Sequence, residues 1–189
     1  MRIIGGRHRG TKLADLAGDN TRPTSDRVRE SLFNILDGGR FGMATKDAIV
    51  VDLFAGTGAL GLEALSRGAA TASFVENDAA ALRVLRANID RLKRAGEATV
   101  MAGNATSLGA WRNAAATLVF ADAPYGTCAG LAAVLNLHRI GGIATEAVIV
   151  IETAKSETVP QDELMVQGLR LADSRTYGKA TLHFITNTG

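Results

Sequence analysis

The 189-residue chain is short of several residue types, and each shortage narrows what it can be. Its single cysteine, Cys128, excludes an intramolecular disulfide and a cysteine metal cluster, and it reads as a packed helix residue. The three histidines, His8, His138 and His183, fall in separate segments without ligand spacing, so no metal is expected. Each reads as an ordinary surface or core residue, although His8 can also meet a phosphate. No apolar run approaches the roughly 20 residues that cross a bilayer. The stretch Met1–Arg7 lacks the apolar segment of a secretory signal. A reduced, cytoplasmic chain with no membrane partner is therefore expected. Repeats and low-complexity tracts are missing too.

Acidic residues are missing from one place. Residues 1–12 hold Arg2, Arg7, Arg9 and Lys12 and no Asp or Glu. Residues 1–40 hold eight Lys/Arg against five Asp/Glu, whereas the remainder holds thirteen against fourteen. Such asymmetry suits a polyanion met by the N-terminus. The candidate phosphate contacts are Arg2, Arg7, Arg9, Lys12, Arg22, Arg27 and Arg29. Ordinary surface charge gives the same count equally well.

What is present is a chain 47% hydrophobic, enough for a full core, and its length suits one domain, residues 1–189. Within it, residues 1–40 form a basic extension and residues 41–189 the body. The organising stretch is Val50-Val51-Asp52-Leu53-Phe54-Ala55-Gly56-Thr57-Gly58-Ala59-Leu60-Gly61. Ile49–Leu53 is an apolar run broken only by Asp52, which suits a strand buried on both faces. A glycine turn and a helix ending at Gly68 follow, a layout that presents free backbone N–H groups to a ligand. Glu76 closes a second strand-like run twenty residues after Gly56, where an acid can take the hydroxyls of a ribose. A nucleoside-bearing cofactor follows from the pair. Gly56-x-Gly58-x-x-Gly61 fits a dinucleotide fingerprint. S-adenosylmethionine fits the same turn and acid, and a plain strand-to-helix turn is the third reading.

Strands are expected at 48–53, 71–76, 98–102, 117–122 and 147–152, with helices at 59–67, 78–94, 106–114 and 128–138. Before them, residues 1–13 read as a short strand, a glycine turn and a second short piece. Thr24 or Ser25 can cap a helix with a stripe of Val28, Leu32, Ile35 and Leu36, stopped by Gly38-Gly39. In helix 78–94, Leu82, Leu85, Ile89 and Leu92 face inward, and Arg83, Arg86, Arg91, Lys93 and Arg94 face solvent. Alternation around Leu169–Leu171 and Leu182–Phe184 predicts a hairpin turning at Tyr177-Gly178. Together these give an α/β fold: a mixed doubly wound sheet finished by a C-terminal antiparallel hairpin, with a small N-terminal extension.

The fourth strand ends at Asp122-Ala123-Pro124-Tyr125-Gly126. Ligands of open α/β sheets bind beyond the carboxyl ends of the strands, so this stretch falls beside the glycine turn. It offers an anionic acceptor, Asp122, carbonyls held extended before Pro124, and an aromatic face, Tyr125. That set suits an exocyclic base amine: Asp122 and a backbone carbonyl accept its two N–H groups while Tyr125 stacks on the ring. An Asp-x-Pro turn with a half-buried tyrosine is the plainer reading.

Here the residues resemble a family, the small bacterial 16S ribosomal RNA guanine-N2 methyltransferases of the guanine-966 type. The resemblance rests on Arg2-Ile3-Ile4-Gly5-Gly6, on Thr21-Arg22-Pro23-Thr24-Ser25-Asp26-Arg27-Val28-Arg29-Glu30-Ser31-Leu32-Phe33-Asn34, on Asp52 to Gly68, on Phe74-Val75-Glu76 and on Tyr177-Gly178-Lys179. It implies a Rossmann-like class I methyltransferase fold, S-adenosylmethionine as donor and ribosomal RNA as substrate, within an assembling small subunit. It implies a cofactor site of Asp52, Phe54, Ala55, Gly56, Thr57, Gly58, Glu76, Asn77, Asn104 and Ala105, and a catalytic group of Asp122, Ala123, Pro124 and Tyr125. A monomer is expected. Two departures stand out. The family usually has Asp-Pro-Pro-Tyr, and this chain has Ala123 at the first proline; the carbonyl acceptor survives, so weaker preorganisation rather than lost chemistry is expected, with a non-catalytic RNA-binding role the weaker option that this departure raises. Asn104 falls where the family tends to have an acid near the cofactor adenine, and its amide oxygen can still accept there. Without the resemblance, an adenine-N6 methyltransferase on DNA or RNA and a nicotinamide-dependent oxidoreductase remain open. The target base must leave its stack, or already be unpaired, to reach Asp122.

Overall fold

The structure, a computed structural model, describes residues 1–16 and 26–189. Arg22 and the expected caps Thr24 and Ser25 lie outside the described residues.

Seven strands form one sheet: β1 (Ile49–Leu53), β2 (Thr71–Glu76), β3 (Ala98–Ala102), β4 (Ala116–Asp122), β5 (Ile143–Ala154), β6 (Leu169–Tyr177) and β7 (Ala180–Asn187), in the order β3-β2-β1-β4-β5-β7-β6. Strands β1 to β5 pair in parallel, and β7 runs antiparallel between β5 and β6. This is the mixed doubly wound sheet with a terminal hairpin expected from the sequence. Successive strand residues point to opposite faces, and the core divides accordingly. Val50, Phe74, Leu118, Phe120, Val150 and Phe184 pack on one face. There they meet α1 (Asp26–Asp37), α2 (Ala59–Arg67) and α3 (Ala79–Arg91). Val51, Leu53, Val75, Val119, Ile149 and Ile151 pack on the other face, against α4 (Ala129–Arg139) and Leu164 of α5 (Gln161–Val166).

Helix α2 begins after Gly58 and ends at Gly68, whose φ of 112° makes the left-handed cap read from the sequence. Helix α3 buries Leu82, Leu85, Ile89 and Leu92 as expected. It stops at Arg91, however, and Arg94 does not face solvent: it is buried and donates to the Leu65 carbonyl at 3.1 Å. The stripe of α1 is also displaced. Leu32, Phe33 and Leu36 are buried, and Val28 and Ile35 are half-buried. Phe33 is drawn in by Phe120, 5.7 Å between ring centroids, with the Arg67 guanidinium 4.9 Å over its ring.

The helix expected at 106–114 is replaced by a short 3-10 turn, Ala105–Ser107, and an irregular segment. Leu108 is extended, and its N–H donates to the Asn136 side chain of α4 at 3.0 Å rather than to a helical carbonyl. A tertiary partner thus outcompetes the local one. Cys128 is exposed at the N-cap of α4 with φ 52°, not packed within the helix.

The N-terminal extension is bound to the sheet's helical layer. Residues 1–13 fold back on themselves through the Arg2–Lys12 bridge, with Ile3 N–H to Thr11 O at 2.9 Å and Gly10 N–H to Ile3 O at 2.8 Å. Ile3 and Leu13 are buried in the same cluster as Val50 and Leu62. The buried Glu63 carboxylate of α2 accepts the N–H groups of Ile4 and Gly5, both at 2.7 Å, and Arg67 Nε at 2.8 Å. A Cβ at Gly6 would meet the Ser66 carbonyl, so the chain approaches α2 where only glycine fits.

Candidate functional site

The carboxyl ends of β1, β2 and β4 bring together the glycine turn, Glu76 with Asn77, and the Asp122 motif, while Asn104 and Ala105 follow β3 at the sheet edge. Leu53 of β1 pairs with Ala121 of β4, so the chain leaving at Phe54 and the Asp122 motif emerge about one strand spacing apart, ~4.8 Å. β2 lies on the other side of β1, with Leu53 beside Val75, which sets Glu76 against the same turn.

The glycine turn is shaped from below and from the side. Asp52 is buried, and its Oδ2 accepts the Gly61 N–H at 2.9 Å, tying the start of α2 to β1. Its place is therefore beneath the loop, not at a ligand surface. Burial pushes its carboxyl up to about 7, the Gly61 N–H opposing the rise and the Glu76 charge adding to it. Gly61 has no room for a side chain, because a Cβ would run into the Phe74 ring. Gly56, at φ 54°, has nothing within 4 Å of where a Cβ would stand, so its outer side is open to a ligand. Phe54, at φ 62°, is half-buried, and Ala55 and Thr57 are buried. The fully buried Asn88 of α3 donates to the Thr57 carbonyl at 2.9 Å, and its side chain exchanges hydrogen bonds with the Ala14 backbone at 2.7 and 3.1 Å. The loop and the N-terminal extension thus share one anchor.

Glu76 is almost buried and holds three backbone donors. Its Oε2 accepts Gly56 N–H, and its Oε1 accepts Asn77 and Asp78 N–H, each at 2.8 Å. A carboxylate offers about four acceptor directions, so roughly one remains for a ribose, not the two that would take both hydroxyls directly. Asn77 is exposed beside it. Asn104 does not present the free acceptor expected of it. Its Oδ1 is taken by the Thr106 N–H at 3.0 Å and the Thr106 hydroxyl at 2.9 Å, capping the 3-10 turn in which Ala105 is buried.

In the Asp122 motif, Ala123 is buried, Pro124 exposed and Tyr125 half-buried. The turn is closed by the Thr127 hydroxyl donating to the Pro124 carbonyl at 2.6 Å and by Gly126 N–H donating to Glu157 at 2.9 Å. Glu157 also accepts Ala154 N–H at 2.8 Å, joining the turn to the end of β5. These bonds hold the turn although the first proline is missing. The Tyr125 hydroxyl donates to Glu152 Oε1 at 2.6 Å. Glu152 pairs in register with Asp122. A cleft of ≈ 230 Å³ opens beside Tyr125, between α4 and Val159-Pro160, and a second, open depression is lined by Tyr125, Lys155 and Lys179. Glu152, Glu157 and Lys155 were not singled out from the sequence, and Lys179 only as part of the Tyr177-Gly178-Lys179 piece of the resemblance. An acid closing a strand was visible at Glu152, but its place beside Asp122 depends on strand order.

The basic candidates separate. Arg2, Arg7, Arg9, Lys12 and Arg27 are exposed, Arg2 in an ion pair with Asp26 at 3.2 Å. The turn carrying Arg7 and Arg9 lies at the Ser66–Arg67 end of α2, opposite the Asp122 motif. Arg29 leaves the set: it is buried, bonded to the Arg2 carbonyl and to Asp26, and burial lowers its pKa. It braces the extension and has no face for phosphate. Among the described residues no cluster of metal-ligating side chains occurs, and no helix is long and apolar enough to cross a membrane.

The model of the family described as "Conserved hypothetical protein 95" matches residues 1–186. The chain is 42% identical over 160 residues to the ribosomal RNA small subunit methyltransferase D of Escherichia coli K12, covering 85% of this chain and 78% of that one. It is 34% identical over 161 residues to the protein of the same name from Haemophilus influenzae, covering 83% and 80%. The solved Escherichia coli structure described as "Putative methyltransferase yhhF" superposes with a TM-score of 0.82 at 38% identity, over 100% of this chain and 98% of that one. The chain therefore belongs to the conserved hypothetical protein 95 family, the small-subunit ribosomal RNA methyltransferase family its sequence resembles.

Proposed function

We propose that the protein transfers a methyl group from S-adenosylmethionine to the exocyclic N2 amine of a guanine in 16S ribosomal RNA. The observation that carries this reading is the register of β1 and β4, which puts the Asp122 motif beside the glycine turn in a chain related to small-subunit RNA methyltransferases. Gly56 with its open outer side and the remaining acceptor direction of Glu76 fit the cofactor's amino acid and ribose ends. The N–H groups of Ala55, Gly56 and Gly58 are not the free donors expected from the sequence, because Val75 O, Glu76 and Ala55 O already take them.

When bound, S-adenosylmethionine supplies an electrophilic sulfonium methyl. The chain's own part is positional and electrostatic. The Asp122 carboxylate accepts one N–H of the base amine, and the carbonyl of Ala123 accepts the other, which turns the nitrogen lone pair toward the methyl. As the N–C bond forms, positive charge builds on that nitrogen, and Asp122 stabilises it more strongly than in the ground state. The methyl's bond to sulfur would break with its electron pair left on sulfur, and the surplus proton would pass from the nitrogen to the Asp122 carboxylate and on to water. Tyr125 stacks on the base once it is out of its stack. The exposed Arg2, Lys12 and Arg27 supply phosphate contacts.

The test combines mass mapping with mutation. Immature small ribosomal subunits are incubated with protein and labelled cofactor, and methylated nucleosides are identified. N2-methylguanosine is expected; N6-methyladenosine instead would establish the adenine reading. Asp122→Ala should cut the single-turnover rate by about 10²–10³, comparable to losing one preorganised electrostatic partner. Native-rate transfer by Asp122→Ala would sink the mechanism.

A further inference from the structure

The Asp-x-Pro-Tyr arrangement accepts any exocyclic amine, so by itself it does not tell a 2-aminopurine edge from an adenine edge. A second acid lies beside it. Asp122 and Glu152 are register partners on neighbouring parallel strands, at the carboxyl ends of β4 and β5. Partners in register point to the same face of a sheet about 4.8 Å apart. Alternation fixes that face. Phe120 and Val150, two residues earlier on each strand, both pack on the side covered by α1 to α3, whereas Ala121 and Ile151 pack on the other. Glu152 is half-buried, and its Oε1 accepts the hydroxyl of Tyr125, the ring on which the base stacks in the proposed reaction.

Resting on that reaction, we infer that Glu152 is the residue that selects guanine, by accepting the N1–H next to the amine that Asp122 holds. Guanine presents two adjacent donors on this edge, N1–H and the N2 amine. Two carboxylates on neighbouring strands match that pair. Adenine presents its amine beside a bare N1 acceptor, and a carboxylate facing that lone pair repels it. A carboxylate has about four acceptor directions, so the Tyr125 hydroxyl and the base N1–H can share Glu152. One residue then fixes the stacking ring and reads the base edge. Discrimination by a site built around a hydrogen bond is strong, because the wrong base leaves a buried charge facing an acceptor.

The probe is an RNA carrying the mapped target nucleotide either as guanosine or as 2-aminopurine, which keeps the 2-amine but has an unprotonated N1. Single-turnover methyl transfer to each is measured for the wild type, Glu152→Gln and Tyr125→Phe. The wild type should prefer guanosine by at least about 10-fold. Glu152→Gln, whose amide can turn to donate to N1, should shrink that preference by about 10-fold or more. Tyr125→Phe breaks the Tyr–Glu bond and leaves the carboxylate, so it should slow both substrates and keep the preference. A Glu152→Gln that slows both substrates equally would reduce Glu152 to a support for Tyr125 and overturn the inference, leaving the methyltransferase reading intact. So would a wild type that methylates 2-aminopurine as fast as guanosine. A wild type that methylates neither would overturn both readings.

Discussion

Replacing Glu76 tests the proposed cofactor site most directly, because a carboxylate that already braces the loop is proposed to hold a ribose as well. Its two oxygens accept three backbone N–H groups, one from Gly56 on the loop and two from Asn77 and Asp78 after β2. About one acceptor direction is left for a ribose hydroxyl. A hydrogen bond to a charged group contributes about 1.5–3 kcal/mol, so losing it in Glu76→Ala should weaken S-adenosylmethionine binding about 10- to 100-fold. The same change also releases Gly56 from β2. With three donors losing their acceptor and water reaching the exposed Asn77 and Asp78, the ligand-free protein should lose about 2 kcal/mol, or about 4–8 °C in Tm for a chain of this size. Glu76→Gln should fall between. Its oxygen can keep the Asn77 and Asp78 donors, but its NH₂ then faces the Gly56 N–H. Calorimetric titration and thermal unfolding without ligand read the two tasks independently. Wild-type affinity in Glu76→Ala would remove the ribose assignment. An affinity loss without any change in ligand-free melting would refute the argument that Glu76 braces the loop.

Asp52 gives a pH test. With its carboxyl raised to about 7 in the folded state, the fold holds a proton that the unfolded chain releases near pH 4. Stability should therefore fall as pH rises from about 4 to 7 and level off above, by up to about 4 kcal/mol from this group. Asp52→Asn should flatten that window, and parallel urea-melt profiles for the two proteins would refute it. Glu63→Ala strips the acceptor from the Ile4 and Gly5 amides and leaves Arg67 only Asp37 as an acidic partner, which should cost about 2–4 kcal/mol and speed hydrogen exchange at both amides. Unchanged exchange there would disprove the clamp. Arg27→Ala should lower the log–log salt slope of RNA binding by about one unit or less, while Arg29→Ala should lower Tm and leave the slope alone. A reduced slope in Arg29→Ala would put that guanidinium back among the phosphate contacts.

Much of the fold follows from local pattern. The apolar run ending at Leu53, the glycine turn, the Leu82-Leu85-Ile89-Leu92 stripe and the alternation around Tyr177-Gly178 each report a periodicity, and the corresponding elements stand where that periodicity puts them. The Asp122 motif was legible for the same reason: it closes a continuous buried run, and strand ends are where open sheets expose their residues. What the sequence left open depends on contacts between distant segments. Arg29 and Arg94 have the composition of surface residues, yet a carbonyl partner for each, on another segment, takes them inside. The segment 108–114 has enough apolar residues for a helix, but the Asn136 side chain claims Leu108's N–H. Glu152 was visible as an acid closing a strand. Only the adjacency of β4 and β5, set by packing both strands between two helical layers, brings it to Asp122 and Tyr125. Periodicity records which side of an element is buried, and the partner that buries it is fixed only when the whole chain closes around one core.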